Sequence, residues 1–283
     1  MTVGGGPVVE EEKTEGFSFP PDVTQLGIIS AIIAIVIVII PGLPAVVKAV
    51  GVIFALLWGM DSVRKTSKYG LGTGVPSIGV LATGYGVLGA LVGIAFAGIL
   101  NVSIVQPGVL IGVIAMAIVG LISGVLSNNE KIIGMKIPGL ERGMMELGIA
   151  GTLAMLLQFS IVAGSLDFNL VVERAISNGV IAVMFVLSMM AMFHPYNACL
   201  GPDERRPRTL MVSIEISGLL FIILGIFVAA TAVSTWGVAG VVDGISLIVF
   251  GLIVWIVFFV KFIKTAMREA HSTVGTGLIK TIE

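Results

Sequence analysis

Long apolar runs separated by short polar connections dominate this chain and predict its secondary structure. An α-helix needs about 17–25 mostly apolar residues to cross a bilayer. Eight runs meet that length, at residues 23–40, 44–60, 78–100, 109–126, 144–163, 172–193, 210–233 and 238–262. The sequence therefore predicts an all-α, polytopic membrane protein of about eight transmembrane helices. If the Pro41-Gly42-Leu43-Pro44 break only kinks a helix instead of ending it, the number falls to seven and the N-terminus lies outside.

The positive charges are distributed asymmetrically between the two sides of the membrane in this predicted topology. All but two of the sixteen Lys and Arg residues lie on the same side of the membrane. They are Lys13, then Arg64, Lys65 and Lys68, then Lys131, Lys136 and Arg142, then Arg205, Arg206 and Arg208, and finally Lys261, Lys264, Arg268 and Lys280. Because cytoplasmic connections are rich in Lys and Arg, we predict four hairpins with both termini in the cytoplasm. Lys48 and Arg174 are the exceptions, each next to an outer turn where a long side chain can snorkel. For Lys48 the alternative is a pairing with a carboxylate on the outer side.

Composition limits what such a chain can do. Only 12% of the residues are charged, about half of what is usual for a soluble domain. The net charge of −1 offers no basic surface for nucleic acid. We expect an acidic, poorly ordered tail at residues 1–21, a transmembrane bundle at 22–263 and a cytoplasmic tail at 264–283. No connection is long enough to form a soluble catalytic domain, and no phosphate-binding loop is present.

Glycine is abundant within the spans, with 37 residues in the chain. Several glycines are four residues apart, as in Gly89/Gly93, Gly120/Gly124 and Gly240/Gly244. This spacing places both glycines on one helix face, where a neighbouring backbone can approach closely. The pattern predicts tight helix–helix packing.

Glu215 is the strongest candidate for a functional ionisable group inside a span, because a charge in lipid is costly. Ser213 and Ser217 are close to it in sequence. A carboxylate with hydroxyl and carbonyl oxygens suits a hard cation, so the three residues are a candidate Na⁺ path. The alternative is an interfacial carboxylate paired with Arg208 or with a neighbouring chain.

Three further carboxylates, Asp61, Glu173 and Asp243, lie at predicted helix ends. We assign structural roles to these carboxylates, and Glu173 and Asp243 lie in first turns, where a carboxylate is favoured by the helix dipole. The segment 131–146 mixes apolar and charged residues. It is predicted to lie in the headgroup region or to be covered by a neighbouring protein of the same assembly.

The connection at residues 194–204 is the most distinctive segment of the chain, and we predict that it docks a soluble protein. Its candidate docking residues are His194, Pro195, Tyr196, Asn197, Cys199, Asp203 and Glu204. We expect Pro195 to end the preceding helix and His194 to cap it. Zinc binding by His194, Cys199 and an acidic neighbour is an alternative. Cys199 is the single cysteine, so it forms no disulfide within the chain.

The run HPYNACLGPDE, at residues 194–204, resembles the C subunit of tetrahydromethanopterin S-methyltransferase. The runs KYGLGTGVPSIG and IPGLERGMMELG resemble the same family, and the resemblance extends over essentially the whole chain. It implies a membrane complex of methanogenic archaea that transfers a methyl group from methyl-tetrahydromethanopterin to coenzyme M, coupled to Na⁺ export. The resemblance also implies that a separate subunit carries a corrinoid and that C, D and E subunits form the membrane part.

The resemblance carries no catalytic or cofactor-binding residues onto this chain. The partners it implies are D- and E-type membrane subunits and soluble corrinoid and methyltransferase subunits. The alternative from the residues alone is a stand-alone secondary transporter, which usually has interrupted helices and polar groups near the membrane midplane. Gln158 and Asn178 are the large uncharged polar residues predicted well inside spans.

Overall fold

The computed structural model describes residues 23–67, 75–100, 105–129, 131, 139–197, 206–235 and 237–276. In these ranges the α-helices are α1 Val23–Ile39, α2 Ala45–Ser67, α3 Val75–Ala97, α4 Leu110–Ser127, α5 Leu140–Ala163, α6 Phe168–Val171, α7 Val180–Asn197, α8 Arg206–Thr235 and α9 Gly237–Thr276. A 3₁₀ turn, Pro107–Val109, precedes α4, and a π-helical turn, Val172–Ile176, follows α6. The described residues contain no β-strand, which confirms the all-α prediction.

Six helical segments among the described residues are long and apolar enough to cross a membrane. They are Ala45–Arg64, Ser77–Ala97, Pro107–Ser127, Leu140–Ala163, Arg206–Ala232 and Gly237–Arg268. A seventh is formed if the two arms of a bent helix pair are one span, and α1 is apolar but shorter. The polytopic membrane class is therefore confirmed. The number of eight spans and the cytoplasmic position of the termini stay predictions.

The sixth predicted span, residues 172–193, is not one straight helix. The chain bends by 80° between Phe168–Ile176 and Val180–Tyr196. Three exposed residues, 177–179, form the turn, and Gly179 has a φ of 71°, which glycine adopts without strain. Asn178 therefore lies in an exposed turn and not inside a helix.

Helix α5 is the central element of the bundle and is buried on nearly all sides. It packs against α1, α2, α3 and α4, and its buried residues include Leu147, Leu153, Met155, Leu156 and Phe159. A helix that is apolar all round is one enclosed by others or by lipid. The other helices are therefore positioned by their contacts with α5.

Glycines make the closest helix contacts, as their spacing predicted. A Cβ on Gly86 of α3 would lie 2.6 Å from the carbonyl oxygen of Gly151 in α5. Gly93 of α3 is equally close to the carbonyl of Val109, and Gly124 of α4 lies against the backbone of Glu141. These contacts confirm the packing role of the Gly89/Gly93 and Gly120/Gly124 pairs.

Helix α9 packs mainly on α8 and leaves a long apolar face exposed. Gly244 of α9 and Gly218 of α8 each lie against the backbone of the facing helix. The exposed face includes Val242, Ile245, Val249, Ile253 and Ile256. The helix has 40 residues, or about 60 Å at 1.5 Å per residue, roughly twice the hydrocarbon thickness of a bilayer. It thus runs well past the predicted end of the last span at residue 262.

Candidate functional site: a buried polar cluster at one end of the bundle

A buried ion pair joins α2 to α8. The Arg206 Nη2 atom lies 2.7 Å from Asp61 Oδ2, and Nε is 3.2 Å from both carboxylate oxygens. Asp61 has no exposed side-chain surface, whereas 14% of the Arg206 side chain is exposed. Asp61 lies inside α2, which continues to Ser67, so its carboxylate is held within the bundle. Arg206 is the first residue of α8 and reaches inward to meet it.

A second buried carboxylate lies next in the same region, on α5. The hydroxyl of Ser62, adjacent to Asp61 in α2, donates to Glu146 Oε2 at 2.6 Å. Arg142, one turn earlier on α5, donates from Nε to Glu146 Oε1 at 2.8 Å, and 60% of its side chain is exposed. The prediction that residues 131–146 lie in the interface is therefore wrong for Glu146, because α5 already begins at Leu140 and points this side chain into the bundle.

Tyr196 closes the cluster from α7. Its hydroxyl donates to the carbonyl oxygen of Met60 at 2.7 Å, and the side chain is buried. The prediction that Pro195 ends the helix is wrong, because α7 continues to Asn197. A proline so close to a helix end removes only one late hydrogen bond, and the buried Tyr196 holds the final turn in place.

We call Asp61, Ser62, Arg142, Glu146, Tyr196 and Arg206 the Asp61 cluster. Of the predicted docking residues, Tyr196 therefore belongs to the protein interior, and His194 is partly buried near the end of α7. Cys199, Asp203 and Glu204 lie outside the described residues, as does most of the alternative zinc site. Within the described ranges, no group of three or more His, Cys, Asp or Glu side chains is placed to hold a metal ion.

The Asp61 cluster is a balanced arrangement of charge in a place where single charges are unfavourable. An isolated buried ion loses its hydration, and only close partners with good geometry offset that loss. Asp61 and Glu146 each have an arginine within hydrogen-bond distance. Both carboxylates are kept inside, and the exposed side chain of the cluster is Arg142, at 60%, whereas that of Arg206 is 14% exposed.

The structure does not bring together the three residues of the candidate Na⁺ path. Glu215 is partly buried and hydrogen-bonds to the side chain of Trp255 on α9. Ser213 and Ser217 are buried, and the Ser217 hydroxyl donates to the Ser213 carbonyl at 2.8 Å. Residues two apart on a helix point roughly 200° apart. The serines therefore lie on one side of α8 and Glu215 on another, and they do not surround one point.

At the opposite end of the bundle, both basic residues that depart from the charge asymmetry, Lys48 and Arg174, stabilise α5. Lys48 Nζ donates to the Ser160 carbonyl at 2.9 Å, and Arg174 Nη1 donates to the Ala163 carbonyl at 2.9 Å. The last carbonyls of a helix lack partners within it and carry partial negative charge. Lys48 is only 4% exposed, so the prediction that it snorkels to water is wrong. It caps the central helix, and the charge of Asp243 on α9 also acts on it, in line with the alternative of an outer carboxylate partner.

The sequence did not predict the long-range residue pairs of the Asp61 cluster. Asp61 and Arg206 are 145 residues apart, and Ser62 and Glu146 are 84 apart. Locally, Asp61 looks like any carboxylate near a helix end. The one indication in the sequence is that Asp61 precedes a basic connection by only three residues, and that the other basic connections supply arginines on the same predicted side of the membrane.

A bundle of six or seven apolar spans with a buried polar cluster at the end where basic residues gather defines an integral-membrane protein. The family model for the C subunit of tetrahydromethanopterin S-methyltransferase matches residues 1–283. The chain belongs to this family.

Relatives that carry the name of this C subunit cover most of the chain. The chain is 41% identical over 234 residues to the one from Methanosarcina mazei, covering 83% of this chain and 82% of the relative. It is 38% identical over 267 residues to that of Methanosarcina barkeri, covering 94% of both. It is 34% identical over 238 residues to that of Methanothermobacter thermautotrophicus, covering 84% of both. The similarity therefore extends over more than four fifths of each protein.

Proposed function

We propose that this chain is an integral-membrane subunit of the methyltransferase complex of methanogenesis. The complex transfers a methyl group from methyl-tetrahydromethanopterin, through a corrinoid held by another subunit, to coenzyme M. The observation that carries this proposal is the match of the family along the whole chain, together with the apolar helices of the described part. The chain supplies membrane-embedded structure, while pterin and corrinoid binding belong to other subunits.

The partners in this proposal are D- and E-type membrane subunits and the soluble corrinoid and methyltransferase subunits. The exposed apolar face of α9 supports contacts within the membrane with lipid or neighbouring subunits, because such a face is stable only when covered by apolar groups. The location is the cell membrane, with the Asp61 cluster at the cytoplasmic end. The concentration of Lys and Arg at that end supports this orientation.

Affinity purification tests the proposal against the stand-alone transporter. An epitope-tagged chain, solubilised in mild detergent, should bring down a corrinoid protein with the absorbance of a bound cobamide. The tagged complex should also transfer methyl groups to coenzyme M. A matched tagged membrane protein from the same cells controls for carry-over. Recovery of this chain alone, in a form that transports an ion after reconstitution, would instead favour the transporter.

We further propose that methyl transfer is coupled to Na⁺ movement and that the path follows α8. Ser213 and Ser217 on one side of this helix, and Glu215 on another, are its candidate oxygen ligands. Support comes from the burial of both serines and from the Ser213 hydroxyl, which has no hydrogen-bond partner among the described residues. Oxygen donors of this kind suit a hard cation.

Replacing Glu215 with glutamine tests which side of α8 carries the ion. If Glu215 lies on the path, the variant should need a several-fold higher Na⁺ concentration for half-maximal methyl transfer, because a neutral amide binds a cation less well. The complex should remain assembled, since an amide also accepts a hydrogen bond from Trp255. Glu173→Gln, at an exposed carboxylate, is the control. Unchanged Na⁺ dependence in an assembled Glu215→Gln complex removes Glu215 from the path.

A further inference from the structure

We infer that α9 is the docking surface for a transmembrane helix of another subunit, and that this partner helix continues past the bilayer with acidic residues. The inference rests on the proposed function, since it needs a complex of several subunits, and it adds the surface and the chemistry of one contact. Of the six spans in the described residues, α9 is the one least enclosed by the rest of the chain. Its exposed face therefore has room for a neighbour.

The exposed apolar residues of α9 include a heptad pattern, in which the spacing alternates between three and four residues. Between 38% and 58% of each of these residues is exposed. We call them the α9 stripe: Val242, Ile245, Val249, Leu252, Ile256, Phe259 and Ile263. Two helices that pack side by side along their length in a left-handed coiled coil use this spacing. Ile253 and Val260 widen the same face, so the α9 stripe can accommodate a whole helix.

The exposed apolar face continues past the hydrocarbon layer. Asp243 and Lys261 bound the uncharged part of α9, which is about 26 Å long at 1.5 Å per residue. That length is close to the ~30 Å hydrocarbon thickness of a bilayer. Met267 lies about 9 Å further along the helix axis than Lys261 and is still 55% exposed. Lipid tails end before this level, so lipid alone does not cover the face.

The same end of α9 extends beyond its main neighbour, α8. Helix α8 has 30 residues and α9 has 40. The guanidinium carbon of Arg208, near the start of α8, lies 5.9 Å from the centre of the Phe262 ring of α9. The last part of α9, up to Thr276, therefore lies past the first residue of α8. A helical segment of about 12 residues has little stability of its own in water, and a second helix packed beside it supplies the missing contacts.

Basic residues line one edge of the apolar face at this end. Lys261, Lys264 and Arg268 are exposed, and each directly follows an exposed apolar residue. They are three and four residues apart, so they share one side of the helix. Glu269 is the one acidic residue in the sequence of 261–276, so the segment has a net positive charge. Asp or Glu residues at the same level of a partner helix would form ion pairs along this edge, as flanking residues do in coiled coils.

A second copy of this chain does not fit the surface. Both copies insert into the membrane in the same orientation, so two α9 helices would pack in parallel. Their rows of Lys261, Lys264 and Arg268 would then lie at the same level, and like charges beside each other along a helix contact are destabilising. The partner that fits is a different helix, apolar across the bilayer and acidic just beyond it.

Photo-cross-linking of the complete complex in native membranes tests the contact. p-Benzoylphenylalanine replaces Ile256, Ile263 or Met267, one at a time, and mass spectrometry identifies the cross-linked peptides. We expect all three positions to cross-link to one helix of another subunit. Because Ile256 and Ile263 are two heptad equivalents, their partner positions should differ by about seven residues along that helix. Ile248, whose side chain lies against Gly225 of α8, is the control position and should cross-link within the chain.

Charge reversal tests the chemistry of the partner helix. Lys264→Glu/Arg268→Glu should lower the cross-linking yield at position 263 several-fold, because attraction becomes repulsion, and Lys264→Gln/Arg268→Gln should lower it less. Lysine in place of the nearest carboxylate on the cross-linked helix should restore the yield in the Glu variant. In the wild-type complex, high salt should lower the same yield, since exposed charges are screened. An unchanged yield at position 248 shows that α8 and α9 still pack together in each variant.

Cross-links to lipid only, to a second copy of this chain, or to a different helix from each position would overturn the inference. A wild-type yield in the charge-reversed complex would also overturn it. A chain that purifies without any other subunit contradicts the proposed function itself. By contrast, an assembled complex in which position 263 or 267 gives no cross-link to another subunit contradicts only the docking surface inferred for α9.

Discussion

Replacing Arg206 with alanine should destabilise the bundle by roughly 3–5 kcal/mol, the usual effect of leaving one member of a buried ion pair alone. The reason is that Asp61 would remain completely buried without the guanidinium 2.7 Å away. Thermal unfolding of the purified complex in Na⁺-free choline buffer measures the effect. We expect a clear fall in the unfolding temperature and poor recovery of the assembled complex.

Arg142→Ala is the matched control for that prediction. It removes an arginine from the other carboxylate of the Asp61 cluster, but 60% of the Arg142 side chain is exposed and Glu146 keeps its hydrogen bond from Ser62. Glu146 is buried, but the Arg142 end of the pair is exposed and screened by solvent, so we expect a smaller loss than for Arg206→Ala, about 1–3 kcal/mol. Equal unfolding temperatures for the two variants would contradict the burial-based account of the Asp61–Arg206 pair.

Replacing Gly86 with alanine should loosen the contact between α3 and α5 and cost about 1–3 kcal/mol, as overpacking usually does. The new Cβ would lie 2.6 Å from the Gly151 carbonyl oxygen. That atom belongs to the backbone of the central helix and cannot rotate away. Leucine at the same position should prevent folding of the bundle, and the measurement is recovery and thermal stability of the complex.

Gly84 provides a control on the same helix, two residues away. A Cβ at Gly84 would meet nothing within 4 Å in this chain. Alanine there should be neutral or slightly stabilising, by up to about 1 kcal/mol, because alanine has the higher helix propensity. If Gly84→Ala were as damaging as Gly86→Ala, the loss would reflect a general intolerance of α3 and not the contact with Gly151.

Local patterns in the sequence were enough to predict the fold class and the glycine contacts. Hydropathy reports directly on lipid exposure, and a four-residue glycine spacing marks one helix face regardless of what packs there. The predicted span of residues 44–60 corresponds to the first part of α2, and the Gly120/Gly124 pair meets α5 as expected. Such features depend on neighbours in sequence, so one chain suffices to identify them.

The polar contacts could not be predicted in the same way, because they depend on which helices become neighbours. Asp61, Glu173 and Asp243 were equivalent in sequence, yet only Asp61 of these three is completely buried. Lys48 resembled a snorkelling residue, whereas the structure places the end of α5 beside it, with a carbonyl for it to meet. Neither outcome can be predicted from the residues that are adjacent in sequence.

Two local rules also gave wrong boundaries for a physical reason. Pro195 was expected to end a helix, but the buried Tyr196 makes a tertiary contact that stabilises the final turn beyond it. Residues 172–193 were predicted to form one spanning helix, but Gly179 with its positive φ allows the turn that bends the chain there. In both places tertiary contacts or backbone freedom outweighed hydropathy.

We propose that the end of the bundle that carries the Asp61 cluster faces the cytoplasm. Labelling with a membrane-impermeant thiol reagent tests it in a Cys199→Ser background, which removes the only native cysteine. Single cysteines replace Glu173 at one end and Lys264 at the other, both exposed. Right-side-out vesicles should label position 173 and not 264, and detergent-opened vesicles should label both. Labelling of position 264 in sealed right-side-out vesicles, with position 173 protected, would contradict the orientation and the docking of soluble subunits at Arg206.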